Sequence, residues 1–423
     1  DMVKHIWKMI WNQRSSNGWI FMELLLVFGA LWVMMDSMLV SWYIYRQPLG
    51  FDIANVYKIN IGKKSAGIPG YQPDSLLATS EGEDLIRLVE NIRRAEEVDE
   101  ICVASSSCPY TWSNSWSQLV RADADTSVKA NYFQYFEVTP SYFDVLRIKD
   151  REGYPLRPIV EKNVGDLAVT SDFEKELFEG ESCIGKQVKW SINGTETMTV
   201  SAVTSPIRQN EFKVSTPCFY GLMRTDEEVV ETVSWKKAEN MDCLVRMKDG
   251  FKADGMDAFL DRMGERLEVN NLYVSCVIPL EEQRPVILKG RLDNLKKKTA
   301  LVGFMLVNVF FGIVGTFWLR TQYRRGELGL RSALGASQGI LKRYLDVEGL
   351  SLLAFTVPLV LVFIVNILYF DLPDTGRMAY SGGRFLVTFG GAFLLLAGMI
   401  WVGIWFPARR IAKMNPAEAL HYE

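Results

Sequence analysis

The sequence predicts a membrane protein with four transmembrane α-helices and a large α+β extracytoplasmic domain inserted between helices 1 and 2. Two observations carry that reading. Apolar residues make up 48% of the 423 positions and gather in four runs, with nearly all the charge outside them. Runs of about 20 apolar residues suffice for a helix to cross a hydrocarbon core roughly 30 Å thick. The long stretch between the first two runs mixes period-two and helical patterns, as an α+β domain does.

Residues 1–18 come first. Val3, Ile6, Trp7, Ile10 and Trp11 recur at helical spacing, with Lys4, Lys8 and Gln13 on the polar side, which predicts an amphipathic helix lying in the membrane interface. Residues 19–45 form the first span. This run is too long for the apolar core of a signal peptide, contains Glu23 and Asp36, and lacks a small-x-small cleavage site, so it reads as an uncleaved anchor. Glu23 can snorkel to the cytoplasmic face. Asp36 lies deeper and reads as a helix-contact or interface residue rather than a proton relay.

Residues 46–298 form the inserted domain. "VYKINIG", "TMTVSAV" and "LYVSCVIPL" read as strands, while "GEDLIRLVENIRRAEEV" and "GMDAFLDRMGERLEV" read as amphipathic helices. The mixture predicts an α+β domain of two lobes. All six cysteines (Cys102, Cys108, Cys183, Cys218, Cys243 and Cys276) fall here. An oxidising compartment permits disulfides, but the spacings name no pairing, and free buried thiols stay equally open. "SSSCPYTWSNSWSQ" reads as a polar surface loop, or as a contact surface through its aromatics.

The remaining spans cover residues 299–319, 350–370 and 385–405 and contain no Asp, Glu, Lys or Arg. Trp19, Trp42, Tyr43, Tyr45, Trp318, Tyr369, Trp401 and Trp405 lie near run ends, where an aromatic belt belongs. Between the spans lie a connector at 320–349 and a short outer hairpin at 371–384. A tail at 406–423 follows the last span.

Basic residues set the orientation. The head carries Lys4, Lys8 and Arg14, the connector Arg320, Arg324, Arg325, Arg331, Lys342 and Arg343, and the tail Arg409, Arg410 and Lys413. The outer hairpin has only Arg377 and Arg384, offset by Asp371 and Asp374. Head, connector and tail therefore face the cytoplasm, and four crossings send the inserted domain outside. Lys296 to Lys298 run against the rule locally, but long translocated domains are weakly governed by it.

Catalytic chemistry finds no footing. His5 and His421 are the only histidines, which excludes histidine triads and zinc sites. "GKKS" at Gly62 to Ser65 lacks the upstream glycine of a phosphate loop. A net charge of -3 gives no reason to expect nucleic acid.

The connector carries the most specific pattern. Leu328, Leu330, Leu334, Ile340, Leu341 and Leu345 are compatible with helix, and Gly335 before Ala336 and Ser337 marks a break between two helices. Glu327 and Arg331 are four apart and share a helix face, with Leu330 and Leu334 alongside. Gly335 and Ala336 would allow a sharp turn in which a larger side chain clashes. The stretch from Arg324 through Glu327, Leu328, Gly329, Ala333, Gly335 and Ala336 to Tyr344, Leu345 and Glu348 resembles the signature of FtsX/MacB-type ABC transporter permeases. The tail, through Pro407, Ala408, Ala412, Pro416, Ala419 and Leu420, is similar to that family's ending, and parts of residues 138–207 resemble its periplasmic core domain. Leu328 in place of the usual isoleucine, and the added charge of Asp346, are mild departures.

The resemblance implies a non-catalytic permease subunit in a bacterial inner membrane, with both termini cytoplasmic. Arg324, Glu327, Leu330, Arg331, Leu334, Gly335 and Ala336 would dock an ATPase, and Glu348, Pro407 and Pro416 belong to the family signature. No cofactor is expected in this chain; ATP and Mg belong to a separate cytoplasmic ABC ATPase. A second permease copy or a related chain would complete the complex, with a periplasmic partner or cargo and membrane lipids around it. The implied function is mechanotransmission: hydrolysis below the membrane moves the outer domain to export or release a peptide, amphiphile or lipoprotein. The alternatives are a regulatory permease that controls a cell-wall hydrolase or senses an antimicrobial peptide, or a membrane-anchored sensor without an ATPase.

Overall fold

The computed structural model describes residues 14–111, 115–124, 131–323, 326–327, 330–331 and 334–412, with the backbone alone at 14–17, 320–321, 338 and 406–412. Residues 1–13 of the expected interfacial helix and the tail from 413 onward lie outside the described residues. The chain divides into two compact units, Arg46–Arg291 on one hand and Asp1–Tyr45 with Leu292–Glu423 on the other.

In the first unit, eleven strands join in one sheet among the described residues. In chain order they are β1 (Val56–Lys63), β2 (Val98–Ser105), β3 (Ser115–Arg121), β4 (Asn131–Val138), β5 (Leu167–Thr170) and β6 (Gln187–Lys189). Then follow β7 (Thr197–Thr204), β8 (Cys218–Leu222), β9 (Asp242–Met247), β10 (Glu268–Val269) and β11 (Leu272–Pro279). The order β10-β11-β1-β9-β2-β4 is an antiparallel open half. Beyond it, β4-β3-β6-β7-β5-β8 closes on itself, because β8 also pairs with β4 in parallel, Tyr135 beside Phe219.

Each half has its own apolar core. The open half packs Tyr57, Ile59 and Ile61 of β1 and Cys243 and Val245 of β9 under helices α1 (Glu81–Arg93), α2 (Asp226–Lys236) and α3 (Met256–Met263). The closed half buries Leu119, Phe133, Val169, Val200 and Phe219, with the Phe133 and Phe173 rings tilted against each other at 4.5 Å between centres. Two of these helices start at reciprocal caps, Ser80 with Glu83 and Thr225 with Glu228, so the sequence pattern S/T-x-x-E places both N-termini. The expected helix at 82–98 stops at Arg93, because Val98 begins β2 and pairs with Met247. Likewise the helix expected through 269 stops at Met263, and Glu268 and Val269 pair with β11 as β10.

The second unit is a helical bundle. Among the described residues, four helices are long and apolar enough to cross a membrane: α4 (Arg14–Arg46), α5 (Leu280–Tyr323), α6 (Gln338–Tyr369) and α7 (Gly382–Ala412). α5 begins in the α+β unit and runs unbroken through Lys296 to Lys298, so hydropathy marked the apolar part of a longer helix. Ile20, Leu24, Phe28 and Leu31 of α4 meet Ile313 and Phe317, Leu345 and Leu352, and Leu396, Ile400 and Ile404 at spacings of three or four. These are the buried stripes expected of helices that pack on one another. Packing is tight near the connector. A Cβ on Gly349 would lie 2.8 Å from Ile400 and Ile404, and one on Gly403 would lie 3.3 Å from Ile313 and Val314. Side chains of α5 and α7 therefore fill the space that a larger residue at either glycine would need.

Candidate functional site

Among the connector residues, 326–327 and 330–331 are helical and the chain turns at 334–335. Arg324 of the expected docking set lies outside the described residues, as does Pro416. Pro407 sits on the backbone of α7, and its side chain is not described.

The described docking residues divide into two groups. Arg331 receives the first. Its Nη2 donates to Glu327 Oε1 at 2.9 Å and to the Tyr344 hydroxyl at 3.4 Å, and its guanidinium lies 4.2 Å over the Tyr344 ring. Tyr344 is buried on α6 beside Leu341 and Leu345. A half-exposed i,i+4 ion pair contributes about 0.3–0.5 kcal/mol and a surface cation–π contact about 0.5–1 kcal/mol. Together these orient the connector against α6 without fixing it rigidly.

The second group points away. Leu330, Leu334 and Ile340 are 52%, 80% and 60% exposed. The Glu327–Arg331 pair thus turns toward α6 while Leu330, Leu334 and Ile340 turn out, so these three form the available surface. Burying such a side chain fully contributes about 1.5–3 kcal/mol. Covering these three would outweigh the contacts that orient the segment.

The turn itself has a defined geometry. Gly335 has φ +94°, and the amide of Ala336 donates to the Arg331 carbonyl at 3.0 Å, a Schellman cap with glycine at its left-handed position. Nothing lies within 4 Å of the place a Gly335 Cβ would occupy. The expected steric clash is therefore corrected: backbone conformation, not a neighbouring atom, demands glycine. Ala336 packs on the bundle core, and Ser337, with φ −67° and ψ 155°, starts α6. About three turns further, Glu348 is 1% exposed beside the tight contact at Gly349. Lys342 Nζ lies 5.2 Å over the Trp401 ring, which adds a link from α6 to α7.

The opposite end of the bundle holds a pair that the sequence reading missed. Arg384, counted there as an outer-hairpin charge, is buried in the first turn of α7. Its Nε and Nη2 donate to Asp36 Oδ1 and Oδ2 at 2.8 and 2.6 Å, and its Nη1 donates to the carbonyls of Met378 and Asp374. Trp32 Nε1 donates to Thr388 Oγ1 one turn away, at 3.1 Å. The available signal was depth. A carboxylate in the second half of span 1 calls for a base at the same level, and Arg384 immediately precedes span 4.

All six cysteines are unbridged; five are buried and Cys276 is exposed. Burial pushes the thiols of Cys183, Cys218 and Cys243 up to about 12. Among the described residues no cluster of three or more His, Cys, Asp or Glu side chains is placed to hold a metal ion.

No family model matches the chain. It is 31% identical over 114 residues to the macrolide export ATP-binding/permease protein MacB of Chlorobaculum tepidum. Over that stretch the chain is similar to a MacB-type permease. The match covers 26% of this chain and 17% of that MacB protein. Among solved structures, the chain is similar to the periplasmic region of MacB from Actinobacillus actinomycetemcomitans, at 15% identity and a TM-score of 0.33, over 60% of this chain and 98% of that one. It is also similar to a domain of a permease protein from Porphyromonas gingivalis, at 12% identity and a TM-score of 0.33, over 53% and 90% of the two chains. The extracellular domain of the noncanonic ABC-type transporter YknZ from Gram-positive bacteria gives 12%, 0.29, 52% and 100%.

Proposed function

We propose that this chain is the permease subunit of a mechanotransmitting ABC transporter. An ATPase on a separate cytoplasmic subunit docks on the connector, and its cycle of hydrolysis moves the α+β unit on the outer side to export or release a peptide, amphiphile or lipoprotein. The chain itself is non-catalytic in this reading, and a second permease chain completes the assembly. ATP and Mg are bound by the ATPase.

The observation that supports this reading most is the divided surface of the connector. Glu327 and Arg331 turn back onto Tyr344, while Leu330, Leu334 and Ile340 stay exposed. Apolar side chains exposed on both sides of a turn suit the groove of a soluble partner.

The test is association. Leu334→Asp places a charge on the ridge, and Gly335→Val opposes the positive φ of the cap at about 1–2 kcal/mol. Both variants should lose most of the ATPase that co-purifies with the full chain from its host's membranes, while the α+β unit keeps its native circular dichroism. Undiminished co-purification and unchanged ATP hydrolysis in nanodiscs with both variants would leave the segment an ordinary linker.

A further inference from the structure

The α+β unit holds the chain firmly at the two places where it enters and leaves. Residues 47–54, which follow α4, form neither helix nor strand, yet two buried arginines grip their carbonyls. Arg208 Nη1 donates to Gln47 O at 2.6 Å, and the Arg208 amide donates to Leu49 O at 2.9 Å. Arg246 donates to Asp52 O and Ala54 O at 2.7 and 2.6 Å, and to Val145 O at 2.7 Å. Gly50 has φ +87°, and a Cβ there would lie 2.5 Å from Pro206 O, so the strap can press on residues 206–208 only with glycine at this position.

The same loop reaches the exit. Glu211 is buried, and its Oε1 accepts from the Tyr110 hydroxyl at 2.9 Å and pairs with Arg284 Nη2 at 2.6 Å. Arg284 lies in the second turn of α5. Arg208 closes the loop on itself by donating to the carbonyls of Glu211 and Lys213, at 2.6 and 2.7 Å. Burial opposes the charge of both arginines, and simple packing would be served as well by apolar side chains. A guanidinium instead fixes several carbonyls at once in a set geometry, which suits a segment with no ladder of its own.

We propose that residues 205–216 form a clamp that ties the strap after α4 to the start of α5, so that the α+β unit receives the movement of both helices at one point. This deepens the permease reading and rests on it. Arg208, Glu211 and Arg246 are positioning residues in that clamp.

The experiment is hydrogen exchange on the full chain in nanodiscs, with Glu211→Gln and Arg208→Lys. Glu211 touches the exit side, and its loss should speed exchange of the Arg208 and Asp52 amides on the entry side by about tenfold or more. Reciprocally, Arg208→Lys should speed exchange at residues 284–288 by a similar factor. Sheet amides such as those of Val169 and Val245 should keep their native rates. Effects confined to each variant's own side, or absent, would mean separate contacts and no clamp. A uniform rise across the unit would mean general destabilisation, and would equally overturn the proposal. The readout needs no ATPase, so a chain that recruits none still leaves this test decisive for the clamp.

Discussion

Removing the Asp36 carboxylate should unsettle the bundle far more than removing a surface charge. Arg384 is buried and makes two charged bonds to Asp36 and two to the carbonyls of Met378 and Asp374. Asp36→Leu keeps the last two and orphans the rest of the guanidinium. Bonds to charged groups contribute about 1.5–3 kcal/mol each, and breaking one side of a buried pair costs about 3–5 kcal/mol, so the two routes agree. An exposed pair such as Arg377 with Asp374 would cost about 0–1 kcal/mol. For a cooperative unit of this size, 3 kcal/mol corresponds to a melting shift of roughly 6–12 °C. The double variant Asp36→Leu with Arg384→Met removes both charges and should recover most of that loss, because desolvating an ion pair nearly cancels its attraction. Tryptophan fluorescence in nanodiscs reads the transition, since Trp32 is buried and bonded to Thr388 beside the pair. A single variant that melts within about 2 °C of the native chain, or a double variant no better than the single, would refute the reasoning.

Other outcomes follow from the same structure. In the native full chain, a maleimide should label Cys276 at least about tenfold faster than the other five thiols, whose burial leaves little thiolate at neutral pH. Equal labelling of all six would contradict the burial described. Residues 46–291 expressed alone should fold and melt cooperatively by circular dichroism, because both apolar cores lie within that stretch. A persistently unfolded product would place the boundary elsewhere.

Local pattern made much of this legible. Span positions followed from hydropathy, the helices at Glu81–Arg93 and Met256–Met263 from apolar spacing, and β1, β7 and β11 from apolar alternation. What stayed hidden depends on partners distant in sequence. The ring closes because residues 134–138 pair with 218–222, and neither strand carries a mark of the other. Helix α1 ends at Arg93 because a strand partner competes for Val98, an outcome that propensity in "RRAEEV" cannot express. In the connector, spacing put Glu327 and Arg331 on one face, but only Tyr344, thirteen residues beyond Arg331, decides that this face turns inward. Asp36 was visible as an anomaly. Its partner was not, since Arg384 looked like one more loop charge.

The central claim, that the exposed ridge of the connector is where an ATPase docks, is tested most directly by site-specific photocrosslinking in the native membrane. A benzophenone amino acid at position 330, 334 or 340 should give a covalent adduct with a nucleotide-binding subunit, and one at buried Leu345 should give none. No adduct from any of the three ridge positions, or equal adducts from Leu345, would contradict the account.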